Sequence, residues 1–294
     1  MSIILQKGNP MWVLFHKNCL DGTGSAAAVL KKFPNVNLIP INHSYTKEDI
    51  SQVLETMNDI IYVVDFSLKR DDFEKLLFNQ NQIIHIDHHI SIKEDVEYLK
   101  KYKNYISIFD LQHSGAYLTW EYLFGEVPKL IYYIEDRDLW KKEFSKTDEI
   151  CYFLFARVLD KPQELLNYLD YDEEEIYQRG LELKTYMQTN IQQTLEKVDP
   201  LWIKFGSFFK RYKVPALNST FYLSELGNEL AKKYGGISCI FYITNHDVKL
   251  SFRSIEGTKL YAKDAAKFFG GGGHLHAAGA KIPLKKFYKL LSKN

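Results

Sequence analysis

The stretch NQIIHIDHHI, residues 81–90, decides how the rest of the chain is read. Its first half holds IIHI (83–86), an apolar run too short for a helix and suited to a buried strand. Its second half sets Asp87, His88 and His89 side by side where that strand would end. Ordinary packing gives no reason for such a triplet there, whereas metal or phosphate chemistry does. Two other apolar runs, MWVLF (11–15) and IIYVV (60–64), stop in the same manner, the first on HKNCLDGTGS and the second on DFS. His16, Asp21 and Asp65 therefore join the triplet as groups placed just beyond strands.

Between these runs lie helix-like segments: SAAAVLKKF from Ser25, KEDISQVLETM from Lys47 and LKRDDFEKLLF from Leu68. Alternating strand and helix predicts an α/β fold with a parallel sheet, right-handed crossovers and ligands gathered beyond the carboxyl ends of the strands. From Ser114 to about Asn190 the pattern turns helical. It ends in a segment that starts acidic and finishes on lysine, as suits a long helix. After Asp199-Pro200 strand-like text returns, followed by LSELGNELAKKY, ISCIFYI, VKLSFRS and LYAKDAAKFF, which predicts a second, smaller α/β unit. The expected division is a first domain over 1–190, a linker over 191–215 and a second domain over 216–294.

The chain has 294 residues, 46% of them hydrophobic, enough to fill sizeable cores. Its net charge of +1 does not suit tracking along a long nucleic acid, so any phosphate binding is local. Three separated cysteines without a C-x-x-C predict neither a disulfide framework nor a structural zinc, and point to a reducing cytoplasm. The N-terminal text shows no signal peptide pattern and no run approaches a membrane span. Contact with membranes is not expected, and a homodimer is left open.

Oxygen and imidazole ligands without cysteine pairs suit manganese, iron or zinc better than calcium. A cluster this large can hold two ions, which clamp both oxygens of a phosphoryl displacement. At this point the residues resemble the DHH phosphoesterase family over most of the chain. FHKNCLDGTGSA, VVDFS, IDHH and YIEDRDLW are similar to its four metal motifs, and LSFRS with GGGGHLHAAG to the signatures of the DHH-associated C-terminal domain. The resemblance implies two divalent ions, manganese foremost, in a cleft between the domains. It assigns His16 and Asp65 to one ion, and Asp21, Asp65, His88 and Asp136, or else Asp138, to the other. Asp65 would bridge, His89 would touch the scissile phosphate, and Asp87 would orient a neighbouring histidine. Where many members carry D-x-D in the first motif, the first of that pair here is Cys19. Both readings of Cys19 stay open: a soft ligand that shifts metal preference, or a small packed thiol.

Four consecutive glycines exceed what a helix cap needs, and suit a backbone that turns its N–H groups toward an anion. The resemblance implies that Gly271, Gly272, Gly273 and His274 grip substrate, and Arg253, whose planar fork matches phosphate oxygens, is expected to do so as well. Ser224 is expected to cap the helix after Asn218, His276 to pack within its loop, and Trp140 to pack under the fourth motif. GTGSAA formally reads as a dinucleotide-binding turn, but a polar stretch separates it from its strand and no acidic residue closes a second strand at the required distance. The expected activity is release of 5′-mononucleotides from very short oligonucleotides, or hydrolysis of 3′-phosphoadenosine 5′-phosphate. Cyclic mono- or dinucleotide cleavage is the nearest alternative, and a catalytically crippled nucleotide-binding protein the alternative of another class.

Overall fold

The computed structural model describes residues 11–207 and 210–291. The N-terminal residues 1–10, over which much of the signal-peptide expectation falls, lie outside them. Compact packing divides the chain into two units, Met1–Lys184 and Thr185–Asn294.

The first unit is built on five parallel strands: β1 (Met11–His16), β2 (Val36–Ile41), β3 (Ile60–Val64), β4 (Gln82–Asp87) and β5 (Tyr105–Phe109), in the order β2-β1-β3-β4-β5. Successive side chains take opposite faces. Leu14, Ile61, Val63 and Ile83 pack with Phe73, Leu76 and Leu77 of α3 (Arg70–Phe78) and with Leu99 of α4 (Lys93–Leu99). Val13, Phe15, Tyr62, Val64, Ile84 and Ile86 pack on the other side with Ala26 and Val29 of α1 (Leu20–Lys32). Both faces are covered, which is why the three central strands read as unbroken apolar runs. β2 and β5 were not expected. They are edge strands with mixed exposure, and β2 carries Pro40, so neither presents such a run. The helix expected from Lys47 reduces to α2 (Ser51–Leu54).

α1 begins at Leu20, not Ser25, because GTG is helical rather than a loop. Its glycines serve close approach. A Cβ on Gly22 would lie 2.3 Å from the His16 carbonyl oxygen, and one on Gly24 2.9 Å from Ala116 Cβ. With every residue from Leu20 to Leu30 buried, α1 is the central helix of the unit. Around it pack α5 (Gly115–Phe124), α6 (Lys129–Asp138), α7 (Thr147–Arg157) and α8 (Pro162–Tyr168), sharing a cluster that includes Ala27, Trp120, Ile131, Phe153 and Leu165. Then comes α9 (Glu173–Lys197), with Glu173, Glu174 and Glu175 at its positive end and Lys197 at its negative end.

The boundary between units falls inside α9. Residues 191–215, expected as a linker, instead include the end of α9, β6 (Leu201–Gly206) and the start of β7 (Arg211–Asn218). The second unit continues through α10 (Leu223–Tyr234), β8 (Ile237–Thr244), β9 (Asp247–Ser254), α11 (Ala262–Lys267), β10 (Gly272–Gly273), β11 (Ala277–Pro283) and α12 (Leu284–Leu290). Its sheet runs β10-β11-β9-β8-β7-β6, antiparallel except for the β7–β8 pair, which α10 connects. One face buries Val214, Cys239, Leu250 and Phe252 under Ala265 and Ala266 of α11 and Phe287 of α12. Among the described residues no helix is long and apolar enough to cross a membrane.

Candidate metal centre

In the first sheet the direction of progression reverses between β1 and β3, which opens a crevice beyond their carboxyl ends. His16 ends β1, Asp65 directly follows β3 and Asp87 ends β4. The backbone of Asp65 is left-handed, with φ +48°, and its N–H donates to Ile86 O at 2.9 Å. A non-glycine residue held so costs roughly 1–3 kcal/mol, a strain concentrated at functional turns.

The Asp65 carboxylate is buried and lies between two histidines. Oδ2 is 3.6 Å from His16 Nδ1, and Oδ1 is 3.2 Å from His88 Nε2. His88 Nε2 also lies 3.7 Å from Asp21 Oδ2 and 3.5 Å from Asp138 Oδ2. Three overlapping ligand sets result: His16, Cys19 and Asp65; Asp21, His88 and Asp138; and Asp65, Asp87, His88 and His89, with the ligand atoms of each set within 4.8 Å of one another. Asp65 Oδ2 and Asp87 Oδ2 are buried without a hydrogen-bond partner. Leaving a buried carboxylate oxygen unmet is costly unless a cation compensates it. Orphaned oxygens, imidazoles and one thiol at such spacing fit divalent ions.

Asp21 is held by the start of α5, accepting from Gly115 N at 2.7 Å and Ala116 N at 2.9 Å. A Cβ on Gly115 would come within 2.7 Å of Asp65 Cβ, so only glycine lets this helix end approach the site. Asp87 Oδ1 accepts from the backbone of His88 and His89 and pairs with His89 Nδ1 at 2.7 Å. Behind it, buried His85 joins Tyr105 Oη at 2.6 Å and Phe66 O at 3.1 Å, and its Nε2 lies 3.6 Å from Asp87 Oδ2.

The titration of these groups follows from their packing. Burial would raise Asp65, but the nearby His16 and His88 imidazoles overcome it and hold the carboxyl at about 2. Burial would likewise raise Asp87, yet His85 and His89 keep it well below the usual carboxylate range. Burial lowers His88, and the hydrogen bond to Asp65 with the charges of Asp21 and Asp65 reverses this, to about 10. Desolvation and then Asp65 push Asp138 up to about 6, and the same causes raise Asp21 well above its ordinary value. Crowded carboxylates that resist joint ionisation are what a dication relieves.

The fourth motif resolves by geometry. Asp136 turns away from the cluster. Its carboxylate accepts from Glu143 N at 2.7 Å and Phe144 N at 3.4 Å and from the Thr147 hydroxyl, so it ties down the approach to α7. Asp138, also on the last turn of α6, is the carboxylate beside His88. The placement expected for Asp136 is thus occupied by Asp138. Trp140 does not pack under the motif either: it is 61% exposed and lines a cavity of about 290 Å³ together with Arg137, Lys142 and Phe144.

Two contributors escaped the sequence reading. The ring of His43, just beyond β2, lies tilted 4.4 Å from the His16 ring and stacks 5.7 Å from that of Phe66. Burial and the nearby His16 and His89 lower its pKa. Its signal, a histidine after an edge strand beside β1, was hidden because that strand was not recognised. Gly115 was the other, and a Ser-Gly pair at the start of a helix was its only trace.

In the second unit, Arg253 at the end of β9 donates from Nη1 to Ser251 Oγ at 3.0 Å and Phe252 O at 2.8 Å, and from Nη2 to Ser224 Oγ at 2.8 Å. Ser224 does not cap α10. That position is Tyr222, and Ser224 sits in the first turn holding Arg253. The chain after α11 passes through Gly270 in the left-handed region and enters β10. A Cβ on Gly271 would lie 2.1 Å from Gly279 O, and one on Gly273 2.7 Å from Ala277 O, whereas Gly272 faces open space. His274 is exposed at the tip of this hairpin, and His276 is held by Ser254 and by Glu256 at 3.2 Å.

Fold and rim together define a two-unit α/β chain with a metal-type cluster at the switch point of its parallel sheet. Residues 214–293 match the DHHA1 domain. It is 28% identical over 295 residues to the uncharacterised protein R106 of Acanthamoeba polyphaga mimivirus, covering 91% of this chain and 66% of that protein. It thus spans just under two thirds of that relative. Among solved structures, RecJ from Thermus thermophilus in complex with Mn2+ matches with a TM-score of 0.55 at 16% identity, over 97% of this chain and 51% of that one. Another structure of exonuclease RecJ, bound to manganese, matches with a TM-score of 0.53 at 14% identity, over 97% and 88% of the two chains. These likenesses speak to the fold.

Proposed function

We propose that the chain is a metal-dependent phosphoesterase acting on nucleotides, and that it releases 5′-mononucleotides from very short oligonucleotides or hydrolyses 3′-phosphoadenosine 5′-phosphate. The observation that carries this reading is the Asp65 carboxylate, one oxygen toward His16 and the other toward His88. Asp65 would bridge two ions, with His16 on one side and Asp21, His88 and Asp138 on the other. Manganese is the first candidate, in keeping with the metal held by the two RecJ structures.

When bound, the ions would supply Lewis-acid polarisation of a phosphoryl oxygen and a water acidified toward neutrality. The rest belongs to the chain. Asp87 takes the Nδ1 side of His89, which fixes that ring and favours its protonated form. Nε2 is then the atom His89 has for a phosphoryl oxygen, as a donor. Asp21, anchored by the amides of α5, keeps its place as charge shifts around it. Arg253, pre-set by Ser224 and Ser251, and the open backbone at Gly272 would hold the nucleotide.

The test is release of mononucleotide and phosphate from dinucleotides to pentanucleotides, a long oligonucleotide, 3′-phosphoadenosine 5′-phosphate, cyclic dinucleotides and pyrophosphate, with manganese, zinc or chelator. Metal-dependent turnover highest on the shortest substrates is expected. Preference for cyclic substrates would move the assignment to that class, and no turnover with any metal would leave a nucleotide-binding protein.

A further inference from the structure

The first ligand set differs in kind from the second. Asp21, His88 and Asp138 offer oxygen and nitrogen only, whereas His16 and Asp65 are joined by a sulfur. Cys19 occupies the N-cap position of α1 in an extended conformation, yet its side chain makes no cap hydrogen bond. Its backbone is pinned instead. Cys19 O accepts from Thr23 N at 3.0 Å and Thr23 Oγ1 at 2.8 Å, while left-handed Asn18 donates its N–H to Asp160 Oδ1 at 2.7 Å. The turn from His16 to Cys19 is thereby fixed with the sulfur beside the Asp65 carboxylate. An independent feature of the same set is Asp65 Oδ2, buried and without a hydrogen-bond partner.

Resting on the metal reading of this site, we propose that Cys19 is the third protein ligand of the His16–Asp65 ion position and makes it selective for zinc-type ions over manganese. Coordination replaces the S–H bond by a metal–sulfur bond. The proton leaves to solvent, and no electrons are transferred. Thiolate is a soft ligand that favours zinc, cobalt or ferrous iron, while the carboxylate-rich partner position suits manganese. The two positions are then chemically unequal, and the chain is a mixed-metal enzyme in which one ion is retained more tightly than the other.

The remaining cysteines serve as internal controls. Cys151 and Cys239 are buried, while Cys19 is partly accessible. In full-length protein stripped with chelator and reloaded with cobalt(II), we expect d–d bands together with a near-ultraviolet sulfur-to-cobalt charge-transfer band. Cys19→Ser should keep the d–d bands and lose the charge-transfer band. Iodoacetamide labelling of Cys19, read by peptide mapping, should fall at least tenfold when zinc is added, with Cys151 and Cys239 unlabelled throughout. Cys19→Asp should shift the ratio of zinc to manganese dissociation constants at least tenfold toward manganese, about 1.4 kcal/mol. Cobalt d–d bands in the unaltered protein without charge transfer, and with labelling unchanged by zinc, overturn this proposal while leaving the metal site intact. Failure of any form to bind cobalt removes the metal position, and this proposal with it.

Discussion

The rim of the first sheet and the glycine hairpin of the second unit are both built to meet something, by opposite means. At the rim the side chains carry the chemistry: Asp21, Asp65 and Asp87 are at most 1% exposed, crowded together, and two of them keep an oxygen with no hydrogen-bond partner. At the hairpin the proposed contact is through the backbone, where Gly272 has no neighbour within 4 Å of where a Cβ would stand. A buried charge cluster is incomplete without a cation, whereas an open backbone is complete and merely available. The first should therefore govern turnover and the second affinity.

The largest effect should come from Asp65→Asn. Losing the charge proposed to bridge two ions should cost about 10³-fold or more in kcat, with metal content falling in parallel, as mononucleotide release and elemental analysis would check. Retained turnover would break the contrast at its root. Metal removal should be visible without any substrate. At a metal concentration 100 times Kd, the folded state gains about 2.7 kcal/mol, so chelation should lower the Tm by roughly 5–10 °C.

A sharper test pits Asp138→Asn against Asp136→Asn. The first should lose about 100-fold in activity or metal affinity with near-normal stability. The second should lose about 1 kcal/mol of stability, because it caps backbone N–H groups before α7, while each folded molecule stays active. The reverse pattern would return Asp136 to the site.

In the second unit, Arg253→Ala should raise KM about tenfold and leave kcat within about threefold, as follows for a residue proposed to hold rather than activate. A pure loss in kcat would move it to the transition state. The smallest difference is between glycines: Gly272→Ala should change stability by less than about 0.5 kcal/mol, while Gly271→Ala, whose Cβ would strike Gly279 O at 2.1 Å, should destabilise the unit measurably by thermal melting.

Much of this was legible because it was contiguous. IDHH announces its strand and its ligands together, and β1, β3 and β4 are recognisable because a strand covered on both faces must be apolar throughout. The edge strands β2 and β5 lack that pressure, and His43 was lost with β2. Asp136 and Asp138 lie on the same helical turn, so the fourth motif could be located but not assigned. Which carboxylate reaches His88 depends on how α6 is rotated against its neighbours, and only packing sets that rotation. The glycines of α1 were misread as a loop for a related reason, since a glycine that permits close helix packing looks the same in sequence as one that makes a turn.

Sequence by itself determined the α/β class, the central strands and the kinds of ligand at their ends, because periodicity and side-chain chemistry are local properties of the chain. Only the tertiary structure decided which groups stand together: Asp138 rather than Asp136 beside His88, His43 beside His16, Gly115 admitting a helix end to Asp21, and the Cys19 sulfur beside Asp65. Each of these depends on distances of a few ångströms between segments far apart in the chain, and such distances are set by how the core packs.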